Sequence, residues 1–563
     1  MKNIIKVLRS QFIQFDIDGY IIPKNDEYFS EYSNKDRLKE ISNFNGSAGY
    51  AVILQNKNYL FVDGRYTIQA RIESGKKFTI LDYKKIINCK VFKNLKIGFD
   101  PKLFTSDQIK KIFSNNNPKS IKKNLIDEVI NFKKIKVKPF YSLDQKITGE
   151  SHLKKIKRII RYLNQNKLDH IFITAPENVA WLLNIRGHDN PNSPIPNSNL
   201  LISKSNKKFI ITNKNKLKRL IKEKRISEKE IVDPQNFQTL INKLDGKNIL
   251  VDSKSCSFYN EQLLSKKFRL IQKEDPIYLF KSIKNQTEIN NMIISHILDG
   301  AALTKFIYWI KNINKKRITE VDAQNKLEKF RKQNKNYLFP SFNTIAGSGK
   351  NGAIVHYRAT KKNTKYIHKN EIFLCDSGGQ YKYGTTDVTR TICFDKQNLN
   401  VKKIFTYVLK GHIAVANTNL KKDSFGKKID IKARKFLKQN GFDYLHGTGH
   451  GVGYFLNVHE GPQAISKFNT IEIKEGMILS NEPGFYKKDN FGIRIENLIY
   501  VKRMNKKLFF KNLTMAPIDK DLIDFNLLTK NEKDYLFNYH FEVYSKISSL
   551  LNKKQKQWLA SLI

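Results

Sequence analysis

Apolar residues recur with helical spacing at Ile4, Ile5, Val7, Leu8, Phe12 and Ile13, and the run DGYIIP then switches to a continuous apolar stretch. The first pattern predicts an amphipathic helix over residues 4–14, the second a short buried strand. The same order returns with LKKIKRIIRYL at 153–163, followed by DHIFITAPENVAWLL. In both places strand-like runs come next: YAVIL and YLFVDG in the first, NLLISK and KFIIT in the second. A recurring order of this kind predicts two successive α/β modules of similar construction. The polar stretch LDQKITGES at 143–151 marks the boundary between them. A second boundary falls near 281–288, where the long helical pattern TEINNMIISHILDGAALTKFIYWI begins. The expected division is therefore 1–146, 147–282 and 283–563. In the last part, helices alternate with strand runs such as EIFLCDSGG, TRTICF and NLIYVKR, and the terminal residues from NEKDYLFNYHFEVY onward read as one or two amphipathic helices that need a partner surface.

Length supports this division, because 563 residues exceed what one core organises. The formal net charge of +50 raises nucleic-acid binding as an alternative. The excess is mostly Lys, spread along the chain with abundant Asn and Ile, and there is no basic tail, RGG segment or zinc-finger spacing. It reads as a solvated surface, and no nucleic-acid partner is expected. Cys89, Cys256, Cys375 and Cys393 are far apart and form no CxxC pair, the pattern of reduced thiols in a cytoplasmic protein. The N-terminal stretch has no continuous apolar h-region, and no run of about 18 apolar residues occurs, so neither a signal peptide nor a membrane span is expected.

The chemistry concentrates in CDSGGQYKYGTTDVTRT, HGTGHGVG, SNEPGFY and GIRIENL, which contain Asp376, Asp387, His450, Glu482 and Glu496. Four carboxylates and one imidazole form a hard, oxygen-rich ligand set of the kind that holds two divalent ions side by side. Each lies in or beside an apolar or Gly-rich stretch, as expected for ligands projecting from neighbouring strands of one sheet. A carboxylate buried there without a partner costs several kcal/mol, roughly, and shared cations remove that cost. Cys375, beside Asp376, reads as a small buried strand residue. HGTGHGVG lacks the GxxxxGK[ST] pattern of a phosphate loop, so its glycines read as letting the backbone approach metals and substrate closely. FVDGRY, with Asp63 and Arg65, reads as a turn held by an acid–base pair.

These segments resemble the Xaa-Pro aminopeptidase (aminopeptidase P) family of pita-bread metallopeptidases, in its long three-domain form. FNTIAGSGKNGAIVHYRAT, HGTGHGVGYFLNVHEGP and NEPGFYKKDNFGIRIENL carry the likeness most sharply, and NFNGSAGYAVI, FVDGRYTIQAR, PENVAWLLNIRGHDNPNSP and LTMAPIDKDLIDFNLLTKNEKDYLFNYH extend it over nearly the whole chain. The resemblance implies an α/β and α+β multidomain architecture, with two creatinase-like N-terminal modules ahead of a pita-bread catalytic domain. It further implies a metal-dependent enzyme that releases the N-terminal residue from peptides with proline second, by hydroxide attack from a dinuclear site. Asp376 would chelate one ion, Asp387 and Glu496 would bridge both, and His450 and Glu482 would complete the other, with Glu482 also carrying protons.

His356, 20 residues before Asp376, and His459, nine after His450, match the family's substrate and oxyanion contacts. His446, four before His450, would flank the proline side of the site. Arg494 is expected near the substrate, on the strand face of Glu496, orienting a ligand carboxylate. The family's usual metal is Mn2+, although Co, Zn and Mg suit the same ligands. A cytoplasmic homodimer is also implied. The competing readings are prolidase on the same fold, methionine aminopeptidase, which lacks the two leading modules, and a non-enzymatic pita-bread binding module, which has lost ligands that are intact here.

Overall fold

The computed structural model describes the chain apart from residues 1, 65, 88, 115, 134–135 and 314–317. Arg65, read with Asp63 as holding a turn, thus lies outside the described residues. The chain divides into two compact units, Met1–Tyr278 and Leu279–Ile563.

In the first unit both expected amphipathic helices form, Lys2–Gln14 and His152–Gln165. The second is capped by Ser151, which accepts from the Lys154 N–H, and buries Ile156, Ile159 and Leu163. Each helix leads into the central strand of a six-stranded sheet, Gly19–Pro23 in one and His170–Ile173 in the other. In both sheets this strand pairs antiparallel with the next long strand and parallel with a strand returning from a helical crossover. The outermost pairs are parallel in both as well. Identical strand order and pairing sense make the two modules one construction used twice. They are joined to each other: the Phe258 N–H donates to the Phe104 carbonyl at 2.7 Å, and Thr105 bridges to Ser257.

The second unit is organised by the helix Gln286–Asn312. Its start is fixed by a capping box, with the Asn285 side chain accepting from the Glu288 N–H and the Glu288 side chain accepting in return. By length and composition it could cross a bilayer, although Asp299, His296 and Lys305 interrupt its apolar pattern. Its apolarity serves this unit's core instead, where Leu303, Phe306, Ile307 and Ile310 pack with Phe373, Cys375, Val388 and Ile392. Gly300 is required by close crossing, since a Cβ there would meet the Met515 carbonyl oxygen at 2.1 Å. Buried Asp299 accepts from Arg331 Nε at 2.7 Å and from the Tyr381 hydroxyl at 2.8 Å, while Arg331 also donates to Ser377 Oγ at 3.1 Å. Two helices are thereby tied to the strand that carries Asp376.

Two antiparallel sheets follow. One has the order Ile345–Ser348, Phe373–Ser377, Val388–Ile392; the other runs Glu460–Ile465, Gly449–Gly451, Ile478–Asn481, Asn497–Met504, Lys507–Asn512. The C-terminal helices form at Lys530–Ile547 and Lys553–Ala560. The first buries Leu536, Tyr539, Val543 and Ile547, while Phe537 and Phe541 stack on each other and stay more than half exposed.

Candidate metal centre

Asp376 sits in a fully buried strand, with Ile345 opposite it on one side and Thr389 on the other. Asp387 immediately precedes the strand Val388–Ile392. His450 is the middle residue of Gly449–Gly451, Glu482 follows the strand Ile478–Asn481, and Glu496 lies between Phe491–Arg494 and Asn497–Met504. The ligand candidates therefore come from two sheets, not from neighbouring strands of one: Asp376 and His450 lie within paired strands, whereas Asp387, Glu482 and Glu496 stand at strand ends. Backbone bonds register the pieces: the Glu482 N–H donates to Thr448 O at 2.8 Å, and the Glu496 N–H donates to Thr389 O at 3.1 Å. Where a strand's ladder ends, its last side chain is free to turn toward a point that no single pleated face could supply.

Two glycines of HGTGHGVG are required by strand packing, a role that the sequence did not predict. A Cβ at Gly449 would meet Ser480 O at 2.0 Å, and one at Gly451 would meet Glu460 O at 2.4 Å. Their absence of side chains lets the neighbouring strands close on the His450 strand, which holds that residue rigidly.

Asp387, His450 and Glu496 each offer an atom within 4.8 Å of the others. The His450 Nδ1 bonds to the Gly451 carbonyl at 2.9 Å, so Nε2 faces inward, 3.5 Å from Asp387 Oδ2 and 3.6 Å from Glu482 Oε1. Glu482 Oε1 also accepts from Ser480 Oγ at 3.1 Å. Asp376 stands outside that inner group of three and is oriented by Arg494, whose Nη2 donates to Oδ2 at 2.6 Å. Arg494 is itself buried; its Nε donates to Thr389 Oγ1 at 3.0 Å and its Nη1 to the Tyr486 hydroxyl at 2.6 Å. Thr389 Oγ1 in turn donates to Glu496 Oε2 at 2.7 Å. Arg494 thus faces Asp376 and Tyr486.

Without cations this is a costly assembly. Burial, aided by the neighbouring Asp387 and Glu482 charges, pushes Glu496 well above the carboxylate range. Burial, aided by Asp376 and Glu482 and opposed by His450, pushes Asp387 up to about 6. Glu482 is also raised, chiefly by burial. The Oδ1 atoms of Asp376 and Asp387 are buried with no hydrogen-bond partner. Native proteins rarely leave such oxygens bare. A donor set of clustered carboxylates, one imidazole and two orphaned buried oxygens fits divalent cations of the hard type.

The remaining sequence candidates occupy distinct places. The exposed ring of His459 stands edge-on to that of His450, centroids 4.3 Å apart. His446 Nδ1 bonds to Gly447 O at 2.8 Å and its Nε2 to the Tyr486 hydroxyl at 2.9 Å, with Nδ1 4.0 Å from Glu482 Oε2. Its ring is flanked by Tyr444 and Tyr486. His356 follows the turn of 3-10 helix Gly349–Ala353. Cys375 is a core residue, its thiol pushed up to about 12 by burial. Sequence reasoning missed Thr389 and Tyr486. Tyr486 had a signal: its ring fits because Gly484 carries no side chain, and a Cβ there would meet the Tyr486 hydroxyl at 2.8 Å.

Residues 290–503 match the model of metallopeptidase family M24, and 506–562 match the C-terminal region of the same peptidases. Residues 5–129 and 131–288 each match a Creatinase/Prolidase N-terminal domain. The chain is 35% identical to a probable Xaa-Pro aminopeptidase P of Coprinopsis cinerea, covering 99% of this chain and 97% of that one. It is 35% identical to Xaa-Pro aminopeptidase 1 of Dictyostelium discoideum, covering 99% and 96%. Its fold superposes on the crystal structure of X-prolyl aminopeptidase from Caenorhabditis elegans, described as a cytosolic enzyme with a di-nuclear active site, with TM-score 0.92, 29% identity and coverage of 100% and 99%.

Proposed function

The chain belongs to metallopeptidase family M24, in its long aminopeptidase P form, and from that premise we propose that it removes the N-terminal residue from peptides with proline second. The observation that carries this reading is the inner cluster of Asp387, His450 and Glu496, beside two buried carboxylate oxygens without partners, in a chain matched end to end by such aminopeptidases. Asp376, Asp387, His450, Glu482 and Glu496 would hold two divalent ions, and the oxygen-rich set with one imidazole would suit Mn2+. When bound, such a pair supplies a water ionised near neutral pH and Lewis-acid polarisation of the scissile carbonyl.

The chain's own residues do the rest. Glu482 lies beside His450 and is positioned to accept the proton of the attacking water and return it to the leaving amine. Arg494 fixes the Asp376 carboxylate. His459, exposed next to His450, hydrogen-bonds the substrate carbonyl as charge develops on it, and His356 does so from the loop beyond Gly349–Ala353. His446, both nitrogens engaged by protein, offers its ring as a wall for the proline. Phe537 and Phe541 form part of a homodimer surface, which accounts for two stacked, exposed aromatic rings on one helix. A cytoplasmic location follows the Caenorhabditis protein and suits four free cysteines.

The decisive experiment incubates purified protein and Mn2+ with an Xaa-Pro-Xaa tripeptide and, in parallel, a Gly-Pro dipeptide. Release of the first residue from the tripeptide is expected; cleavage of the dipeptide alone would make the protein a prolidase, and no cleavage a binding module.

Two further outcomes are expected. His459→Ala should lower kcat by roughly 10²-fold, the scale of one oxyanion donor, with metal content unchanged. Metal loss in that variant would make His459 a ligand instead. Metal uptake should also expel protons. In the metal-free site burial disfavours the charged His450 ring, but Asp387 and Glu482 outweigh it and raise it to about 9. A cation binds only the deprotonated imidazole and carboxylates. Affinity should therefore climb as pH rises toward about 9 and weaken further below about 6, where Asp387 takes up its proton. Calorimetry at pH 7 in two buffers of different ionisation enthalpy should report net proton release. Absence of release would remove His450 from the ligand set.

A further inference from the structure

Glu320 opens the helix Glu320–Lys332 and is fully buried. Its Oε1 accepts from the Ser348 N–H and from Asn351 Nδ2, both at 2.9 Å. Its Oε2 accepts from the Tyr357 hydroxyl at 2.9 Å, the Lys365 N–H at 3.0 Å and Asn351 Nδ2 at 3.1 Å. Its own N–H donates to Lys365 O at 3.1 Å. Every one of these partners belongs to the segment 348–365, which carries His356. The Lys365 ammonium turns away to Glu371, at 2.8 Å, so the Glu320 carboxylate is held by dipoles of the loop. A charge at a helix N-terminus is favoured there. Directional bonds to a buried carboxylate also fix a loop more narrowly than apolar packing does.

The same loop is referenced to the metal ligands at its other end. It leaves the strand Ile345–Ser348, in which Ile345 pairs with Asp376. It is wedged against the strand that ends at Arg494, since a Cβ on Gly492 would meet Gly352 O at 1.8 Å. His356 then emerges one residue before Tyr357, whose buried ring and hydroxyl form the peg in the Glu320 socket. Burial and the facing Glu320 charge push the Tyr357 phenol up, which keeps its hydroxyl a donor.

We propose that Glu320 and Tyr357 are positioning residues for His356: together they set where that imidazole stands relative to Asp376 and hence to the peptide carbonyl. The inference rests on the substrate role given to His356 above. Tyr357→Phe deletes one hydroxyl and keeps the ring. It is expected to lower kcat/KM for an Ala-Pro-Ala tripeptide roughly tenfold, the order of loss that a sub-ångström misplacement produces, with metal content intact. Glu320→Gln should cost at least as much. In a His356→Ala background, Tyr357→Phe should cost less than about twofold, because the residue it positions is gone. An undiminished loss in that background, or none in the wild-type background, overturns the pairing. A His356→Ala enzyme with unaltered kcat/KM instead refutes the role of His356 itself. If Glu320→Gln does not fold, Asn351→Ala tests the same socket from the loop side, with the same expected pattern across both backgrounds.

Discussion

Asp387→Asn is expected to abolish tripeptide hydrolysis and to strip bound metal from the protein. The substitution keeps the shape of the side chain and removes its charge, and this charge lies at the centre of the cluster. Asp387 Oδ2 is 3.5 Å from His450 Nε2, while Oδ1 is buried without a partner. A residue that merely orients a ligand is worth roughly 10- to 100-fold in metal affinity, so if Asp387 is shared by two cations, as the family resemblance implies, its loss exceeds that range. Glu496→Gln should behave alike, although Thr389 still donates to its remaining oxygen and moderates the structural cost. Turnover of an Ala-Pro-Ala peptide and metal content by emission spectroscopy, measured on the same samples, decide the matter. Near-normal turnover with metal retained would rule out the shared-ligand arrangement.

Replacing proline by alanine at the second position of the substrate is expected to lower kcat/KM on the order of 10³-fold. Proline presents a rigid ring and no N–H. Alanine lacks two of its ring methylenes, each worth roughly 10- to 200-fold in a fitted apolar site. The protein's counterpart is a ring that cannot yield: His446 is pinned through both nitrogens and flanked by Tyr444 and Tyr486. Changes at position one, such as Ala-Pro-Ala against Arg-Pro-Pro, should matter far less. Equal rates for proline and alanine would identify a general aminopeptidase, and the wall assigned to His446 would then be wrong.

Much of this was legible in the chain itself. Helical and strand periodicities located the elements because an amphipathic helix and a buried strand each repeat over many residues, and a capping pair such as Asn285 and Glu288 acts within one turn. The duplication of the first unit was visible for the same reason: module order is a local property of the sequence. Among the ligand candidates, Asp376 and Glu496 stood out because acidic residues rarely occur inside apolar runs such as FLCDSGG and GIRIENLIYV without a partner. The long helix Gln286–Asn312 shows the limit of that logic, since its apolarity alone does not say whether lipid or protein covers it.

What only the tertiary structure decided is which distant residues meet. Sequence placed the ligand candidates on one sheet, whereas two sheets supply them, because the strands that carry them meet only after each sheet has been built and registered. The HGTGHGVG glycines carry a second requirement that sequence did not anticipate: Gly449 and Gly451 are needed by neighbouring strands, whose closeness no local pattern records. Arg494 lies two residues from Glu496 yet donates to Asp376 and Tyr486, and Thr389 joins Arg494 to Glu496 across more than 100 positions. Residue type and local period are written in the chain, so the sequence by itself determined the elements, the repeated modules and the stock of candidate metal-binding side chains. The approach of one side chain to another across a fold is not a local quantity. It follows from the packing of all the elements at once, which is why the supports of the centre emerged only in three dimensions.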